Sequence, residues 1–119
     1  MSIETQYYTI IGYDLTKCRT EKFQDWRFSV EGSIFTNYHS QGHIQFFDDP
    51  MNERHLYFGY ILGCGDQYDF KTQKVDLMEL KLRQAEIDVL LNYFQNIGII
   101  NFNYSFELPY QIIMFEECV

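Results

Sequence analysis

The sequence predicts an α+β domain built on a mainly antiparallel sheet, and three observations carry that expectation. From Leu56 to Leu62 the chain sets Leu56, Phe58, Tyr60 and Leu62 on one face and Tyr57, Gly59 and Ile61 on the other. A strand apolar on both faces belongs inside a sheet, covered on both sides. From Gln84 to Ile97, in contrast, Ile87, Leu90, Leu91, Phe94 and Ile97 fall on one stripe at helical spacing. Finally, aromatic residues make up 18% of the chain, which favours pleated strands, where large rings pack against cross-strand neighbours.

Taken in order, Thr5–Tyr13 (TQYYTIIGY) reads as a first strand, again apolar on both faces and therefore interior. Thr20 then stands where it can cap a short helix over Glu21–Phe28, with Phe23 and Trp26 three apart on one side. Ser29–Ser33, with Gly32, reads as a loop, and Ile34–His39 (IFTNYH) alternates as a short strand. Gly42–Gly65 is a hairpin: Ile44 and Phe46 alternate with Gln45 and Phe47, and Asp48–Arg54 supplies turn formers and charge before the Leu56 strand. Together with Ile34–His39 this predicts a central three-stranded meander.

Between Gln67 and Arg83 two readings compete. Asp76 followed by Glu79 resembles a capping box and starts a long helix, whereas Leu80-Lys81-Leu82-Arg83 alternates like a strand. The helix over Gln84–Ile97 ends at Gly98, which occupies the position just past the last helical turn. Ile99–Phe106 and Tyr110–Phe115, separated by Pro109, read as two more strands. The expected domain spans 1–119, and a chain of this length buries roughly 65% of its unfolded surface, enough for a core without disulfides or a metal.

Charge narrows the function classes. Seventeen acids against nine bases give a net charge of −8, which argues against direct nucleic-acid binding, since neutralising phosphates takes an excess of Lys and Arg. An acidic chain instead suits a partner protein with a basic surface. Four of the nine bases lie between Lys17 and Arg27, and none follows Arg83. Met1–Thr5 has neither the basic nor the apolar segment of a secretory signal, and no apolar run approaches the roughly 20 residues of a membrane span. Three cysteines, Cys18, Cys64 and Cys118, show no metal-binding spacing, and an odd count fits free thiols in a cytoplasm.

Catalytic and metal patterns are weak. His39 and His43 are four apart but straddle a Ser-Gln-Gly turn, and no Cys or carboxylate joins them and His55 at zinc spacing. Cys64, between two glycines at a strand end, pairs with His43 or His55 as a Cys–His nucleophile only if the fold brings them together. Gly63-Cys64-Gly65 lacks the third glycine of a phosphate loop, and the Asp48–Glu53 acids lack the spacing and glycine of a calcium loop. The expectation is therefore a non-enzyme without cofactor or metal. The residues expected to meet a partner are the hairpin tip, Asp48, Asp49, Met51 and Glu53, together with Glu116 and Glu117 near the C-terminus. Surplus surface aromatics also leave room for a homodimer.

The segments GYDLT (Gly12–Thr16), KFQDWRF (Lys22–Phe28) and GHIQFFDDPMNERHLYFGYILGCGDQYDF (Gly42–Phe70) resemble small proteins of tailed bacteriophages over about the first 70 residues. The resemblance carries no catalytic residues. It implies a setting in which small acidic proteins bind and inhibit host proteins, among them restriction and CRISPR effectors, in the host cytoplasm. The alternative expectation is a small-ligand-sequestering domain or minor hydrolase with an aromatic-lined pocket near Cys64, His43 and His55.

Overall fold

The computed structural model describes residues 5–40, 44–48, 55–66, 68–72, 74–101 and 108–118, with the side chains of 36–40 and 118 excepted. The elements run β1 (Thr5–Asp14), α1 (Lys22–Arg27), α2 (Val30–Ser40), β2 (Ile44–Asp48), β3 (Leu56–Gly65), β4 (Phe70–Thr72), α3 (Leu77–Asn96) and β5 (Gln111–Cys118). This is the α+β class, with an antiparallel sheet and one long helix. The strand order is β2-β3-β1-β5, and β4 also pairs with β3. β2 takes the Leu56–Tyr60 half of β3 and β4 takes the Gly63–Gly65 end. β1 and β3 are thus both interior, as their two-sided apolar patterns require.

The expected meander is only half present. Residues 34–39 lie in α2, so β2 stands at the end of the strand order without the neighbour expected there, and β3 pairs on its other side with β1. Ser29 starts that helix: its carbonyl accepts from Ser33 N, and its hydroxyl oxygen accepts from Gly32 N at 3.1 Å. Side-chain acceptance of an orphan backbone N–H is what a helix N-terminus needs. Among its described side chains Phe35 packs against Trp26, Phe46, Phe58 and Phe94, while Val30 and Ile34 stay exposed. Among the described residues three helices therefore replace the expected two.

Over residues 67–83 the capping pattern prevails. Asp76 caps α3 by accepting from Glu79 N at 2.8 Å, so the alternating Leu80–Arg83 run is helical. Gly98 follows the last turn at φ 85°, a left-handed conformation glycine adopts without steric cost. Of the expected Ile99–Phe106 strand, Ile100 forms an isolated bridge with Arg19, and 102–107 lie outside the described residues.

The helices cover one face of the sheet. Phe23 and Trp26 of α1, Phe35 of α2, and Ile87, Leu91 and Phe94 of α3 close over Tyr13, Ile44, Phe46, Leu56, Phe58 and Tyr60. Phe46 and Phe58 sit 4.5 Å apart, and Phe94 reaches both at 4.8 and 5.3 Å. Tyr13 OH donates to Asp88 Oδ1 at 2.8 Å and ties β1 to α3.

Among the described residues no helix packs on the other face, yet Ile10, Ile61 and Phe47 there are buried. The register explains how. Phe47 pairs with Tyr57, which pairs with Asp14, whereas Phe115 pairs with Tyr8. In a flat sheet Phe47 and Phe115 lie three strands across and six residues along, roughly 25 Å apart. Their ring centroids are 5.1 Å apart. The sheet therefore coils until two diagonally opposite corners meet over Ile10 and Ile61, an extreme of the twist that all sheets carry.

The crease falls at paired Gly12 and Gly59. A Cβ on Gly12 would strike the Phe58 carbonyl oxygen and come within 2.5 Å of Gly59 Cα; one on Gly59 would lie 2.5 Å from the Ile11 oxygen. Only a row without side chains lets β1 and β3 come this close and leaves the corner rings room to fold over.

Candidate binding surface

Coiling gives the molecule a corner where the ends of the β2–β3 loop meet the end of β5. Phe47 and His55 stand on either side of that loop. Both rings touch Phe115, at 5.1 and 5.8 Å, and Tyr57 touches it at 4.9 Å. Tyr8 stacks on Phe115 at 5.3 Å and leans on Phe47 at 4.9 Å. His55 Nε2 lies 3.4 Å from Glu117 Oε1, and the ring stacks on Tyr57 at 4.8 Å. Burial raises the Tyr8 phenol pKa, with the Glu117 charge adding to it, and raises that of Tyr57, with help from Asp14.

Two arginines root the loop. Arg27 Nε lies 3.4 Å from Asp48 Oδ1 at its start, and Arg19 Nη2 donates to the His55 carbonyl at 2.8 Å at its end. Both come from the basic stretch between Lys17 and Arg27, so that local excess of positive charge holds the acidic hairpin in place. Arg19 also lies over the Phe23 ring at 5.4 Å, which fixes the guanidinium against the core.

The six residues expected to meet a partner are placed unequally. Asp48 is turned inward, its side chain only 6% exposed against Arg27, so its charge serves the fold. Asp49, Met51 and Glu53 lie outside the described residues. Glu117 is half-committed to His55, and Glu116, next to it on β5, is exposed. The structure does bring the residues flanking the loop to the end of β5: Phe47 contacts Phe115, and His55 lies against Phe115 and Glu117. Sequence spacing holds no signal for this, because the contact arises from sheet coiling.

The Cys–His pair is not assembled. His55 stacks on Tyr57 with its Nε2 toward Glu117, while Cys64 sits opposite Tyr8 near the other end of β3, and no hydrogen bond joins the two. His43 lies outside the described residues. Among the described residues no group of three or more His, Cys, Asp or Glu is arranged to hold a metal ion, and no helix is long and apolar enough to cross a membrane. Compared with protein-family models, curated proteins and solved structures, the chain matches none.

Proposed function

We propose that this is a small accessory protein of the bacteriophage type that binds a basic surface on a host protein in the cytoplasm and blocks it. A defence nuclease, whose nucleic-acid groove is basic by necessity, fits that description. One observation carries the reading: the corner where the two ends of the acidic β2–β3 loop meet the acidic end of β5. Within it, Arg27 and Arg19 hold the loop from below, and the sheet beneath is rigidly packed. A cluster of like charge steers association with an oppositely charged groove and suppresses wrong partners. The net charge of −8 acts in the same direction.

The test is affinity isolation from host cells with the wild-type chain and with Asp49→Lys/Glu53→Lys/Glu116→Lys. The wild type should retain a specific protein at low salt and lose much of it at about 0.5 M, where the Debye length falls to a few ångströms. The reversed variant should fail to retain it even at low salt. Retention of the same partner by both proteins would remove this corner from the interface.

A further inference from the structure

We infer that α3 is a self-association surface and that two copies of the chain pair through it antiparallel. The helix has two apolar faces. Ile87, Leu91 and Phe94 enter the core, while Met78, Leu82, Val89 and Tyr93 are 72%, 61%, 68% and 45% exposed. At 3.6 residues per turn the centres of the two sets lie roughly 160° apart, so the second set points directly away from the sheet. Among the described residues nothing in a single copy covers it.

The order of residues on that outer stripe suits a two-fold axis. Met78 and Tyr93 are equidistant from the midpoint between Ala85 and Glu86, and so are Leu82 and Val89. Antiparallel pairing about this midpoint sets Met78 on Tyr93 and Leu82 on Val89, each twice. The small Ala85 side chain sits at the crossing, where the helices come closest. The charges follow the same plan. Lys81 and Asp88 border the stripe on one side, with Asp88 Oδ1 already accepting from Tyr13. Antiparallel helices bring like borders together, so Lys81 of each copy faces Asp88 of the other. On the opposite border, Arg83 and Glu86, joined at 2.8 Å within one chain, are arranged about nearly the same point. A parallel pair would instead set Asp88 beside Glu86.

The stripe from Met78 to Tyr93 is about 23 Å long and 10 Å wide, roughly 230 Å² per copy, against about 800 Å² per partner in a standard interface. The dimer is accordingly weak and concentration-dependent. It uses a surface other than the acidic corner and stands or falls independently of the function proposed above.

Sedimentation equilibrium of the full chain from about 10 µM to 1 mM, a span that brackets weak association, should show monomer passing to dimer. Leu82→Asp/Val89→Asp should weaken the dimer at least roughly a hundredfold, because each copy then buries two unpaired carboxylates. Both positions are exposed, so the helical circular-dichroism signal should not change. Should it change, Lys81→Glu gives the same reading from a surface exchange and should weaken the dimer more at low salt than at high. For orientation, Ala85→Cys should form an oxidised dimer well above the wild-type background, and Met78→Cys should not. Monomer at the highest concentration, a dimer indifferent to these exchanges, or equal cross-linking at the two cysteines would each overturn the inference.

Discussion

On the helix side of the sheet, Phe46 and Phe58 are covered by side chains that three helices bring from elsewhere in the sequence. On the far side, Ile10 and Ile61 lie under rings from the sheet's own corners, Phe47 and Tyr57 on one and Phe115 on the other. The first arrangement adds a layer, and its strength scales with the apolar area that layer buries. The second, among the described residues, adds no layer and depends on curvature, which in turn depends on a glycine pair. One face is therefore set by side-chain volume and the other by backbone shape, so the two should respond to different mutations.

The largest effect is expected on the layered face. Phe58 is fully buried and touches rings from two helices and β2. Phe58→Ala should cost about 3–5 kcal/mol in denaturant melts, since the surrounding rings cannot all collapse into the space. That is a large share of the roughly 6–18 kcal/mol available to a chain of this length. A loss below about 1 kcal/mol would mean that the helix layer is not the main source of stability.

Gly12→Ala examines the coiled face, and here the sign decides. In an ordinary strand interior, alanine for glycine stabilises by about 0.5–1 kcal/mol. At the crease the new methyl meets the Phe58 carbonyl and Gly59 Cα, backbone atoms that cannot swing aside. A destabilisation of about 1–3 kcal/mol is expected. It should come with a change in near-ultraviolet circular dichroism as the rings of Tyr8, Tyr57 and Phe115 separate. Stabilisation would show that the coil does not depend on a bare row.

These two sites also mark what the sequence made legible. The layered face was readable because its signals are local periods: the alternation of β3, the stripe of α3, the cap at Asp76. Phe58 and Phe94 were placed on their inward faces by spacing alone. The segment from Val30 to Ser40 reads as loop and strand in the sequence because, among its described side chains, Phe35 turns inward while Val30 and Ile34 stay exposed. The coil was not readable at all. Gly12 and Gly59 are ordinary glycines until the register sets them opposite each other, and nothing near Phe47 in sequence announces Phe115. The same gap hid part of the candidate surface. Asp48 looks like a tip acid but is claimed by Arg27, across the sheet-to-helix interface. The outer stripe of α3 was obscured differently, because its Leu82 belongs to a run, Leu80–Arg83, that alternates like a strand.

The smallest expected effect separates the faces by pH. Tyr13 joins the sheet to α3 through Asp88. Burial first, and then that hydrogen bond and the charge behind it, push its phenol pKa up to about 12 from the ordinary 10.0. A phenol that holds its proton more tightly in the folded state contributes fully below its unfolded pKa. Between pH 10 and 12 the unfolded chain loses this proton while the folded one keeps it, so stability falls as pH rises through that window. Tyr13→Phe should remove this component of the alkaline slope, costing about 0.5–1.5 kcal/mol at neutral pH for the lost hydrogen bond. The far-face phenols of Tyr8 and Tyr57 are raised as well, by burial and by Glu117 and Asp14 in turn, so the wild-type slope mixes both faces. Comparing the stability of Tyr13→Phe and the wild type across that pH range isolates the share carried by the layered face. An unchanged slope would mean that the Tyr13–Asp88 contact does not couple sheet to helix in solution, leaving apolar packing alone to hold α3 in place.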